Sequence, residues 1–156
     1  MKLDLIALAV VAAAFAAALA GGGWLLSTYA PGASPAALFL DADIIAKLVM
    51  LLLMLLTFPI LVVGAIGLLA RDAARPMVMI LRMAAAASVV LGLLAAAYGW
   101  MNIQSAIARI GPVGIEVTAP SWAEVLLGLA YALLVAGFAL LFAVGVGLRA
   151  GRLRKA

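Results

Sequence analysis

An all-α bundle of four membrane-spanning helices is the fold class this sequence predicts, as one integral membrane domain over residues 1–156. Three observations predict it. Hydrophobic residues make up 70% of the chain and charged residues only 10%, where soluble domains carry about a quarter charged. The apolar residues fall into four runs, about 5–28, 44–70, 77–105 and 121–148, each meeting the roughly 20 residues that a span requires. The segments between the runs are too short to hold a water-soluble domain.

The first run, "MKLDLIALAVVAAAFAAALA", has two readings. It is a retained helix, or it is a signal peptide cut after Ala20, which would leave three spans. Asp4 is unusual in the basic start of a signal peptide, and apolar character continues through Trp24, Leu25 and Leu26; both favour the retained helix. The orientation of the other spans is the same either way.

The second run follows the acids Asp41 and Asp43. Lys47 lies one turn inside it. Its stem suits snorkelling to the interface, and pairing with Asp43 at i,i+4 is the alternative. Pro59 lies in the helix interior and should kink it. The turn "RDAARP" is short, and Pro76 opens the return helix, where a missing N–H is tolerated. Runs two and three therefore form a hairpin. In run three, Arg82 is placed to reach the headgroups, while Asn102 and Gln104 are wetted near the far end. Thr57 and Ser88, the mid-span hydroxyls, are expected to bond back to their own helices.

Gly111, Pro112, Gly114 and Pro120 punctuate the loop before run four, and "GIEVT" allows a short extended piece. The fourth run opens with "PSWAEVLLGLAY", and no charge follows from Val125 to Leu148. Glu124 again has two readings. Ser121 and Glu124 match a capping box, with the carboxylate at a helix N-terminus. Alternatively the acid faces a bundle interior or ion path, the default for a carboxylate within a span. The two are compatible where a helix end borders a pore.

Small residues recur every four positions along Gly128, Ala132 and Ala136, along Ala139, Ala143, Gly147 and Gly151, and along Ala12, Ala16 and Ala20. Such lines let helix backbones approach closely, within a bundle or between subunits.

The net charge is +4, and the basic residues lie at helix ends, so they set topology and give no reason to expect nucleic acid. Lys2, then Arg71, Arg75 and Arg82, then Arg149, Arg152, Arg154 and Lys155 cluster at one end; only Arg109 and Lys47 lie towards the other. By the positive-inside rule both termini and the hairpin turn are cytoplasmic, and Trp24, Trp100 and Trp122 mark the opposite interface. The chain has no Cys and no His, which removes thiolate nucleophiles, imidazole bases, haem and the usual zinc ligands. No catalytic triad, phosphate loop or metal cage is present, so neither an enzyme nor a cofactor is expected. The lack of an internal repeat gives an inverted-repeat transporter no support.

Three stretches carry a family resemblance. "DADIIAKLVMLLLMLL" (41–56) resembles the first helix of ExbB members of the MotA/TolQ/ExbB proton-channel family, with its acidic head and early lysine. "ASVVLGLLAAAYGWMN" (87–102) resembles the second helix. "APSWAEVLLGLAYALLVAGFALL" (119–141) resembles the third, which opens with a Pro-x-x-Ala-Glu-x-Leu motif. The resemblance covers about 41–150. It implies an oligomeric ring in the bacterial inner membrane, with helices two and three lining a pore. It also implies a single-span ExbD/TolR/MotB-like partner with an essential Asp, and proton flow that drives envelope work. Glu124 matches the family's pore-facing glutamate. The chain departs from the pattern in three ways. The long cytoplasmic segment is reduced to "RDAARP". Ala96 and Leu129 stand where the family has pore threonines, which makes for a drier pore. The first run is additional to the three-helix plan.

Overall fold

The computed structural model describes residues 2–32, 36, 40, 42–69, 74–111 and 113–153. Among these, four helices follow in order: α1 (Lys2–Tyr29), α2 (Ile44–Leu69), α3 (Ala74–Ile110) and α4 (Ile115–Leu153). All four are long and apolar enough to cross a membrane, so the chain is a multi-pass helical membrane protein. Lipid forces this choice, because a helix satisfies its own backbone groups where no water can. Arg71 and the turn residues with it, Asp41, Pro112, Arg154 and Lys155 lie outside the described residues.

α4 is central. It packs against α1, α2 and α3, whereas α1 makes no substantial contact with α2 or α3. The facing pairs give the directions. Gly92 meets Ala132 and Gly99 meets Val125, so α3 runs antiparallel to α4. Met50 reaches Gly128 and Phe142 covers Gly64, so α2 runs parallel to it. Gly22 meets Leu127 and Val11 approaches Gly137, so α1 is antiparallel on another face of α4.

The small residues of α4 make these approaches possible. Ala132, Ala136, Ala139 and Ala143 are buried with Leu53, Ile60, Leu81 and Val146 in the main core. This part of the ladder is used inside the chain. Ala12, Ala16 and Ala20 of α1 are exposed. Large apolar side chains such as Leu51, Leu55 and Phe58 of α2 also point outward, as suits a surface in lipid.

Several expectations are corrected or refined. α4 begins at Ile115, so "GIEVT" is mostly helical, Val117 N–H bonding to Gly114 O at 3.2 Å. Ser121 and Glu124 are therefore interior residues of the helix and form no capping box; Glu116 is the acid of the first turn. Pro120 is accommodated inside α4, near the end where few backbone bonds depend on it. α3 extends to Ile110 and ends on Gly111, whose φ of 90° closes the last turn with a bond to Ile107 O. The linker between α3 and α4 is thus much shorter than expected. At 37 and 39 residues, these helices measure about 55–60 Å, well beyond the ~30 Å hydrocarbon core, and must tilt or project.

α2 continues through Pro59, which is exposed. Thr57 and Ser88 donate to Leu53 O and Ala84 O, both at 2.9 Å, as expected. Arg82 does not simply extend to the headgroups. Its Nε and Nη2 donate to the two Asp4 oxygens at 2.7 and 2.8 Å, clasping the start of α1 to α3. α1 itself runs unbroken through Ala20 and Gly21.

Gly92 tests the close packing on α4. A Cβ at this position collides with the Ala132 methyl, whereas one at exposed Gly23 meets nothing. Gly92→Ala is expected to lower stability by about 1–3 kcal/mol, although glycine-to-alanine in an open helix adds up to ~1 kcal/mol. Reversible unfolding in detergent should show the two variants, Gly92→Ala and Gly23→Ala, moving in opposite directions.

Candidate functional site

The end of the bundle where α2 and α4 begin holds a cavity of about 270 Å³. Its lower wall is apolar, with Val49, Met50, Leu53 and Gly128. Its polar groups are Asp43, Tyr98, Asn102, Ser121 and Glu124. Helices α3 and α4 and the residue just before α2 supply them, and the local sequence explains each placement.

Asp43 precedes α2 and caps it. Its carbonyl accepts the Lys47 N–H at 3.0 Å, the first bond of the helix, and Oδ1 accepts the Ile44 N–H at 2.7 Å. Its other oxygen, Oδ2, accepts from the Tyr98 hydroxyl at 2.5 Å and from Asn102 Nδ2 at 3.3 Å. Tyr98 and Asn102 are four residues apart on α3, hence on one face. They tie that face to the cap of α2. The hydrogen bond from Tyr98 is the main cause that holds the Asp43 carboxyl below the usual aspartate range. Burial is the next largest cause and opposes it; the Ile44 N–H, Asn102 and the Lys47 charge follow and act in the same direction as Tyr98.

Glu124 is half-buried on α4 and lines the same cavity. It makes no hydrogen bond to another described residue; Asp43 and Lys47 are the charges that act on it. Because Gly99 faces Val125, the antiparallel register puts Trp100 level with Glu124. Trp24 lies near the same level, since Gly22 faces Leu127. Trp24 and Trp100 are 57% and 54% exposed, as an interfacial belt would be. The carboxylate is thus directed inward at belt depth. Of the two readings of Glu124, the structure has the acid facing the bundle interior.

The remaining site residues fall in different places. Lys47 donates from Nζ to Leu40 O at 2.7 Å. Gly128 lines the cavity. Ala132 and Ala136 are buried beneath it in the core. Neither Ala96 nor Leu129 lines the cavity; Leu129 lies against Gly92 in the α3–α4 seam. Pro59 is more than three helical turns along α2 from Lys47 and takes no part.

Asp43 as an acceptor for α3, Tyr98 as its donor and Ser121 in the cavity wall were not anticipated. The available signal was the Tyr98–Asn102 spacing, a polar stripe in an otherwise apolar helix. Chemically the cavity can hold water against two carboxylates, one fixed by hydrogen bonds and one without them. Such a pair can take up and release protons.

No protein-family model, curated protein or solved structure matches this chain.

The Asp43 carboxyl has a depressed pKa, so its contribution to stability is present above its unfolded-state pKa and is lost as pH falls through the folded value. Tyr98→Phe removes the principal cause. Carboxyl NMR titration in micelles should then show Asp43 titrating at higher pH in the variant, with acid destabilisation beginning earlier. An unchanged titration would mean that the Tyr98 hydrogen bond does not govern this group.

Proposed function

We propose that this chain is an ExbB-like subunit of an oligomeric proton channel, working with a single-span partner to couple proton motive force to envelope work. The observation that carries the reading is the setting of Glu124. It is an acid within a span, turned from lipid into an interhelical cavity and without a hydrogen-bond partner among the described residues. An acid so placed is the usual mark of an ion path. The resemblance of 119–141 to the family's third helix assigns the same residue to the pore.

This reading calls for an oligomer. Below the cavity, Leu53, Leu81, Ala132, Ala136 and Ala139 fill the space between the helices. A proton leaving Glu124 has no wet route through these groups, so conduction requires a path between chains or along a partner helix. The basic end, with Arg75, Arg82 and Arg149, is then cytoplasmic, and the cavity opens towards the outer face of a bacterial inner membrane.

A second reading, a non-conducting structural subunit, is favoured by Ala96 and Leu129. Neither can hydrogen-bond water where the family has threonine, and a drier pore conducts less well.

Proton flux into liposomes, read with a pH-sensitive dye, separates the two. Wild-type protein reconstituted with its co-purifying single-span partner should conduct. Glu124→Gln should bring flux down to the leak of empty vesicles while leaving helicity unchanged. Undiminished flux in that variant would remove Glu124 from the path, and no flux in the wild-type complex would favour the structural subunit.

A further inference from the structure

At the basic end of the bundle, α1 and α3 both lean on α4 but barely touch each other. A cleft of about 450 Å³ lies between them. Leu140 of α4 lines it with Ala7 and Val11 of α1 and Ala86 and Val89 of α3. The Asp4–Arg82 clasp supplies its polar groups. The volume is many times the ~30 Å³ of one water, and the apolar walls give water nothing to bond to. In a chain with four membrane-spanning helices, hydrocarbon is what such a cleft admits.

The charges beside it are unbalanced. Arg75 and Arg82 are seven residues apart on α3, two turns along one face, and both are exposed. Lys2 is exposed at the start of α1. Among the described residues beside the cleft, one carboxylate, Asp4, stands against these three cations. Asp4 takes two of the five guanidinium donors of Arg82, and the Arg82 side chain is still 51% exposed. The planar fork of arginine suits phosphate, and basic pockets between spans receive anionic headgroups.

We propose that this cleft is a binding site for an anionic phospholipid of the adjoining leaflet. One acyl chain lies between α1 and α3 over Leu140. The phosphate lies against Arg82 and Arg75, with Lys2 near it. The lipid then fills the gap that the clasp alone spans, and helps to seat α1. The site depends on membrane embedding and is independent of proton conduction at the other end.

Native mass spectrometry of the full chain, titrated with phosphatidylglycerol or with phosphatidylcholine of the same acyl chains, tests this. Wild-type protein should bind phosphatidylglycerol preferentially. Arg75→Gln should weaken that binding about fivefold, the effect of one cation near a lipid surface. Arg75 makes no hydrogen bond to another described residue, so this variant leaves the clasp intact where Arg82→Gln would break it. Ala86→Phe, which fills the cleft, should remove the adduct while helicity and Tm hold. Equal binding of the two lipids, or an adduct that survives Ala86→Phe, would overturn the proposal. So would a protein dimer without lipid that Ala86→Phe disrupts, since a second chain would then occupy the cleft.

Discussion

The close approach of three helices to α4 is the constraint on which the rest of the structure depends. In lipid there is no hydrophobic drive to press helices together, so association rests on van der Waals contact and on how nearly backbones can approach. α4 meets this with small side chains. Ala132, Ala136, Ala139 and Ala143 are buried in the core, and Gly92 and Gly64 of the neighbouring helices remove the Cβ atoms that would collide with Ala132 and Phe142. The partners fill the remaining space with Leu53, Ile60 and Leu81.

This packing sends the polar groups to the two ends. At one end the Asp4–Arg82 clasp joins α1 to α3, which otherwise barely touch. At the other, α2, α3 and α4 enclose a cavity, and Asp43, Tyr98 and Asn102 use its rim to lock the cap of α2 to α3. Glu124 shares the cavity but not that network. The two acids differ in their bonding. The Asp43 side chain makes three hydrogen bonds, while Glu124 makes none to another described residue. Its register beside Trp100 places it near one end of the bundle, and it faces the cavity between the helices.

The fold was largely legible because hydrophobic run length decides whether a helix spans, and run length is a local property. The ends were less legible. "SWAE" carries the residue types of a capping box, yet α4 starts at Ile115 and passes through Pro120 to make Ser121 and Glu124 interior. Proline near a helix start is compatible with both outcomes, so the local pattern could not choose. Arg82 shows the same limit. From sequence its nearest partner is the headgroup region; in the bundle Asp4, 78 residues away, lies within hydrogen-bond distance. Only the seating of α1 on α4 brings them together.

By itself the sequence determined the class of the protein, the number of its spans, the separation of its basic residues from its tryptophans and the singular position of Glu124. Each follows from composition along one helix or from charge at its ends. Only the tertiary structure decided that α4 is the central helix, that part of its small-residue ladder is used within the chain, and that Glu124 shares a cavity with Asp43, Tyr98 and Asn102. These depend on which faces meet. Where nearly every face is apolar, periodicity in the sequence does not say which one turns inward; contact between complementary shapes does.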